Sequence, residues 1–398
     1  MVALLGDEDK ERHSSWLENF YDLIFAIVVA QLAIGLNENI SAAGYLGFVF
    51  LFVPVFWSWL GVTFYNTRFE TDSLQHRLLT LLQMAAAAFM AVSVIGGLGN
   101  NSQSFALSYA TVRTILVIEY LLTGKHVRSA RPLTRLYSRG FMATTILWFV
   151  SAFIPPPYRF YLWFIGLVVD IAIPIILTLR TSNRFAPHIY HLPDRFGAFT
   201  IIVLGVSILA FVDNIATHDW TAASVLSAAL SLGVDFCIWW IYFDSIDGSA
   251  IRAFRSQRKI RGYFAWLYAH FPLLIGIVGF GVSIEHIVLS RPDVPLAVSD
   301  KWLMCGSMAI CLLSLAIIRL SSVISRPATQ ENHKNTVEKR QATYSIVAAG
   351  IIVLFAAVTP ELLPLYTILV IALIMAVLVL LDIRQHPFHR SFKSDLEA

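Results

Sequence analysis

Long apolar runs recur along the chain from end to end, each closed by proline, glycine or a cluster of charge, and this pattern predicts helices that cross a bilayer one after another. Twelve spans are expected, over residues 16–36, 44–64, 78–97, 104–124, 140–154, 159–179, 196–216, 220–243, 262–288, 302–320, 343–359 and 361–381. The fifth is short, and the last two meet tightly at Thr359-Pro360-Glu361, so these are open to a re-entrant or broken form. The predicted fold class is all-α, a polytopic transmembrane helical bundle.

The pattern restarts at residue 193. PDRFGAFTIIVLGVSI laid over LENFYDLIFAIVVAQL sets Asp194 on Glu18, Phe196 on Phe20 and Ser207 on Gln31, with Ala198 where Asp22 stands. The following spans also echo each other, WWIYFD at 239–244 against Trp57, Trp59, Phe64 and Tyr65. Two halves, 1–192 and 193–398, each of six spans, are the expected organisation. Because six is even, both halves would enter from the same side and be related by an axis along the membrane normal.

Composition agrees with a membrane chain. Of 398 residues 57% are hydrophobic and 14% charged, against about 25% charged in a soluble domain. A net charge of +3 gives no reason to expect a nucleic-acid partner. The charge is distributed unevenly. With residues at span edges assigned to the adjoining loop, 25 of the 29 Lys and Arg fall in the two tails and the alternate loops on their side, and 3 on the other side, while Arg113 is inside span four. By the positive-inside rule both termini are expected in the cytoplasm. The basic runs KHVRSARPLTRLYSR (125–139) and IRAFRSQRKIR (251–261) suit anionic headgroups. The first 15 residues have no apolar core, so the first span is expected to act as its own insertion signal. Cys237, Cys305 and Cys311 lie in apolar segments without metal-ligand spacing and read as small buried hydrophobes.

The candidate chemistry is the set of polar groups that the spans carry into the membrane. Glu18 and Asp22 lie four apart and face one side of the first helix. Asp22 is six residues in from Trp16, roughly 9 Å at about 1.5 Å per residue, and the apolar stretch Leu23 to Ala30 offers it no local counter-charge. Glu119 on span four, Asp235 on span eight and His270 on span nine are at similar depth from the cytoplasmic side, with Gln83 on span three. Such a tier is either a proton or cation relay or a set of interhelical hydrogen bonds. Arg113 and Asp170 fall near the centres of spans four and six, where an unpaired charge is most costly. They read as a mutual ion pair, with contact to a substrate anion as the other role for Arg113. Asp213, His218 and Asp219 lie toward the outer face and suit an entrance or plain surface polarity. GIVGFG (276–281) and AAAAFMA (85–91) permit close helix contact.

No phosphate-binding loop, dinucleotide fingerprint, zinc-hydrolase motif or G-x-S-x-G elbow is visible, so no cofactor, metal or catalytic residue is expected, and the pattern points away from an enzyme.

Five stretches in order, WLENFYDLIFAIVVAQL (16–32), NTRFETDSLQHRLLTLLQM (66–84), DRFGAFTIIVLGVSI (194–208), WWIYFD (239–244) and YAHFPLLIGI (268–277), resemble the bacterial low-temperature-requirement protein A family. The resemblance implies a multi-span membrane protein of a family named for growth at low temperature rather than for a molecular activity. The family pattern has Glu after Leu-Gly in the seventh-span motif, where this chain has Val206. The head Phe20-Tyr21-Asp22 is also similar to the Phe-Ser-Asp element of lysosomal-type potassium channels, with Tyr21 in place of Ser. The sequence thus carries three functional expectations: proton-coupled transport of a small solute or ion, a non-transporting organiser or sensor of the membrane, and a cation channel. Its partners are expected to be the lipid bilayer and a proton, cation or small solute, and its location the cell membrane.

Overall fold

The computed structural model describes residues 2–4, 14–71, 73–180, 186–217, 221–246, 248–257, 259–326, 332–359 and 361–385, without the side chains of 2–4, 70–71, 180, 210–217, 257 and 332–333. His218 and Asp219, and the side chain of Asp213, therefore lie outside the described residues. Among the described residues the protein is all-α apart from one short strand pair, β1 (Val2–Leu4) antiparallel to β2 (Phe69–Thr71) with Val2 opposite Thr71, which the hydropathy pattern does not predict.

Among the described residues twelve helices run 21 to 30 residues: α1 (Trp16–Asn37), α2 (Ala42–Asn66), α3 (Leu74–Val94), α4 (Ser102–His126), α5 (Arg131–Ser151), α6 (Tyr158–Arg180), α7 (His191–Thr217), α8 (Ala222–Ser245), α10 (Ile260–Leu289), α11 (Val298–Ser325), α12 (Asn332–Val358) and α13 (Pro364–Gln385). The nine-residue α9 (Ser249–Gln257) lies in the basic stretch after α8, with Ile251 and Phe254 buried and Arg252 exposed. Eleven of the twelve long helices are apolar enough to cross a membrane, and α5 is the exception. Its predicted span, 140–154, is corrected to a helix that starts nine residues earlier. Arg131, Arg135 and Arg139 occupy its first turns, where they dilute the apolar window without breaking the helix. It is no fragment: Tyr120 of α4 stacks on Tyr137 and Tyr109 packs at a tilt against Trp148, at ring separations of 5.0 and 4.2 Å, so α5 follows its antiparallel neighbour along much of its length.

Four helices begin where a side chain takes up free backbone N–H groups. Ser15, Ser41, Ser73 and Thr221 cap α1, α2, α3 and α8 in this way. Inside the spans the faces separate cleanly. On α6, Tyr161, Phe164, Ile165 and Val168 form an exposed apolar stripe suited to lipid, while Trp163, Leu167 and Asp170 form the buried one. On α1 the buried positions Glu18, Asp22, Phe25, Val29, Leu32 and Leu36 recur every three or four residues, so the two acids head the protein-facing stripe.

The chain divides into two compact units, Met1–Ile202 with Phe254–Arg258, and Val203–Ala253 with Lys259–Ala398. The boundary at Ile202 and Val203 lies inside α7. In the first unit α4 packs on α3 and α5, α5 on α6, and α1 on α2 and α3. In the second, α11 packs between α10 and α12, and α8 lies against α10, α11 and α13. The small residues of 276–281 make close approaches there: a Cβ on Gly276 would stand 2.6 Å from Cys311 Sγ on α11, and one on Gly281 2.6 Å from Ser207 Cβ on α7. Without a hydrophobic drive between helices in lipid, such contacts supply much of the packing energy.

Candidate functional site

The head of α1 is built by its own capping box. The Ser15 hydroxyl accepts from the Glu18 backbone N–H (3.3 Å), and Glu18 Oε2 accepts from the Ser15 N–H (2.7 Å). This bond aims the Glu18 carboxylate, whose Oε2 also lies 3.1 Å from His191 Nε2 on α7. One turn further, Asp22 is fully buried and its Oδ1 accepts from two donors at 2.6 Å, Trp59 Nε1 on α2 and Arg195 Nη2 on α7. Trp59 is held by stacking on Phe199 at 4.3 Å and by the edge of Phe196 at 5.0 Å, both within about a turn of Arg195 along α7. The helix of Asp22 supplies no counter-charge of its own, and the first turns of α7 provide it.

Two features define this site. Acids four apart on α1 meet bases four apart on α7, in the same order, so the two helices run parallel and start on the same side. The two acid–base contacts also use only part of their bonding capacity. Asp22 Oδ2, Arg195 Nε and Nη1, and His191 Nδ1 are buried and have no hydrogen-bond partner among the described residues. Hydropathy does not reveal His191 and Arg195, because α7 begins at His191, five residues before the predicted span, and Arg195 then falls among loop charges. The signal that the sequence does hold is the matching spacing of Glu18 with Asp22 and His191 with Arg195.

The other predicted residues fall into separate groups. Glu119 on α4 is bound through Oε1 to His76 Nδ1 and through Oε2 to Gln83 Nε2, both at 3.0 Å and both from α3. Arg113 and Asp170 do meet, at 2.5 Å, fully buried. Asp170 also accepts from Tyr109 and Thr144 hydroxyls, each at 2.7 Å, and the Arg113 guanidinium lies 4.1 Å from the Phe141 ring centre. His270 on α10 donates from Nδ1 to the Trp266 carbonyl (2.7 Å), since a carbonyl can only accept, and Nε2 faces the Tyr242 hydroxyl on α8 (3.2 Å). Asp235 on α8 lies 3.1 Å from Ser207 on α7. None of these bonds joins two of Asp22, Glu119, Asp235 and His270.

A further group has no counterpart among the expected sites. Arg319 on α11 is 1% exposed and donates to both oxygens of Asp382 on α13, at 3.1 and 3.0 Å, with Glu338 on α12 and Asp244 on α8 each at 3.7 Å. Arg319 ends an apolar run, where hydropathy treats it as a loop charge, and its acids sit in segments whose hydropathy gives no warning.

The helices and the charges held within them define a multi-pass membrane protein in which most buried carboxylates lie against an Arg or His of another helix. The chain belongs to the bacterial low temperature requirement A protein family, whose model matches residues 13–382. It is also similar to the uncharacterized protein RA0937 of Rhizobium meliloti (strain 1021), with 24% identity over 306 residues, covering 71% of this chain and 74% of that one.

Proposed function

We propose that this protein is a proton-coupled transporter of a small solute or ion in the cell membrane, not an enzyme, with both termini in the cytoplasm. The observation that carries the reading is the Asp22–Arg195 ion pair between α1 and α7, with the Glu18–His191 contact beside it and the unused hydrogen-bonding atoms of both. A buried ion pair is a poor source of stability, because desolvation consumes most of the attraction. Ionisable groups kept inside membrane helices therefore commonly mark pathways and relays. Parallel counterpart helices from two six-span halves are also a framework on which alternating access is built.

The test is a comparison in liposomes under an imposed pH gradient. Asp22→Asn alone leaves Arg195 buried without a counter-ion and is expected to lower folded yield. The neutral double variant Asp22→Asn with Arg195→Gln is expected to fold at near wild-type yield and to lose flux by at least tenfold. Full flux in the folded double variant would overturn the role of this site. One observation favours the organiser instead: most buried acids in the described residues are paired, as a rigid interior requires. Wild-type liposomes without any flux of protons, ions or small solutes would establish that reading.

The orientation rests on the 25 to 3 distribution of Lys and Arg. Ser129 and Asn100 are exposed in loops at opposite ends of α4. In a chain freed of its native cysteines, Ser129→Cys should react with an impermeant thiol reagent only after the cells are opened, and Asn100→Cys in intact cells. The reverse pattern would invert the topology.

A further inference from the structure

Seven carboxylates are buried among the described residues: Glu18, Asp22, Glu119, Asp170, Asp235, Glu338 and Asp382. Six stand within 4 Å of an Arg or His nitrogen. Among the described residues Asp235 on α8 has no such neighbour. It is 3% exposed, and its Oδ1 meets no donor among the described residues.

Its one hydrogen bond among the described residues is chemically specific. Ser207 Oγ lies 3.1 Å from Asp235 Oδ2 and 2.7 Å from the carbonyl oxygen of Leu204. A serine hydroxyl has one hydrogen, and a carbonyl oxygen can only accept. If the hydrogen goes to Leu204, the closer acceptor, then Ser207 Oγ and Asp235 Oδ2 are two acceptors facing each other, unless the carboxyl carries a proton. A protonated Asp235 satisfies the chain of atoms completely: Oδ2–H donates to Ser207 Oγ, and Ser207 donates to Leu204.

Among the described residues the surroundings offer no substitute for that proton. On α10, His270 is engaged by Trp266 and Tyr242, and the latter is seven residues, roughly 10 Å, along α8 from Asp235. On α11, Cys311 is the titratable group within electrostatic reach, and its thiol faces the Leu273 carbonyl. Arg319 on α11 and Asp382 on α13 are bound to each other, near Asp244 and nine residues beyond Asp235 on α8, roughly 13 Å. On α7 the described side chains near Ser207 are apolar or, like Ser207, neutral. Gly281 abuts Ser207 so closely that a Cβ there would stand 2.8 Å from its Cα, so no side chain enters between α7 and α10 at this point.

We infer that Asp235 and Ser207 form a proton-binding site, the carboxyl being protonated at neutral pH in this conformation. Uptake forms the Oδ2–H bond and removes one negative charge from the protein interior. Release returns the proton to water and turns the Ser207 hydroxyl from Leu204 to the carboxylate, which withdraws a hydrogen bond from the α7 backbone one turn earlier. The site supplies the coupling proton for the transport reading above and rests on it for that role, whereas the protonation itself stands independently.

Infrared difference spectroscopy on the full-length protein in liposomes tests this directly. Between neutral and strongly alkaline pH, the wild type should show the carbonyl stretch of a protonated carboxyl at neutral pH. Asp235→Asn, which is neutral and of equal size, should lose that band, Ser207→Ala should shift it upward through the lost hydrogen bond, and Glu18→Gln should leave it in place. A band that persists in Asp235→Asn, or a wild type without one at neutral pH, would overturn the site, as would a band removed by sodium at constant pH. Should Asp235→Asn fail to fold, Ser207→Ala decides alone: a shifted band supports the site, and an unshifted one overturns it. In the same liposomes, flux without the band would leave the transport reading and remove this proposal, while the band without flux would do the opposite.

Discussion

Asp170→Leu is expected to destabilise the first unit by about 3–5 kcal/mol, the cost of leaving a buried charge without its partner. Asp170 is the acceptor at which three helices meet: Arg113 and Tyr109 from α4, Thr144 from α5 and its own α6. Its backbone carbonyl also accepts from Trp57 Nε1 on α2, at 3.3 Å. With the carboxylate gone, Arg113 remains fully buried, its Nε and Nη1 already without hydrogen-bond partners among the described residues and the Phe141 ring beside it. Replacing both charges, Arg113→Met with Asp170→Leu, should recover most of the loss, because the desolvation of both ions disappears with their attraction. Monodisperse yield and melting temperature in detergent read the order directly. Equal loss in the single and double variants would show that shape rather than charge sets the cost.

Arg319→Gln should be as damaging in the second unit, and more so than Asp382→Asn. One guanidinium serves Asp382 through two bonds and lies 3.7 Å from both Glu338 and Asp244. Its removal leaves two buried acids, Asp382 and Glu338, short of a cation at once, and of these Glu338 keeps a second one, Arg326 at 3.6 Å. A loss of about 3–5 kcal/mol is expected for Arg319→Gln. Arg319→Lys should recover only part, since a point charge cannot reproduce the forked pair of bonds to one carboxylate. Thermal melting of the three variants checks the ranking. A lysine variant as stable as the wild type would reduce the site to a simple charge balance.

These two hubs are unequally legible in the sequence. Arg113 and Asp170 stand out because each interrupts the middle of an apolar run, where a charge demands a partner. Arg319, Asp382, His191 and Arg195 lie within a few residues of helix ends, and there hydropathy treats a charge as ordinary loop polarity. The acid pair at the head of α1 is legible from its spacing, and His191 and Arg195 repeat that spacing, but nothing local links the two sets, which are 173 residues apart. For α5, the same blindness to charge at a helix end shortens the predicted span.

By itself the sequence determined that this is an all-helical chain crossing a bilayer many times. In hydrocarbon each backbone N–H and C=O must be satisfied within its own segment, so a long apolar run has one solution. It also determined which face of α1 carries its acids, because the helical period is local. The partner of each buried charge was decided only by the tertiary structure, through helices brought together from distant parts of the chain. Asp235 required most from it. That a carboxylate lacks a cation is a property of every neighbouring helix at once, and no stretch of sequence contains it.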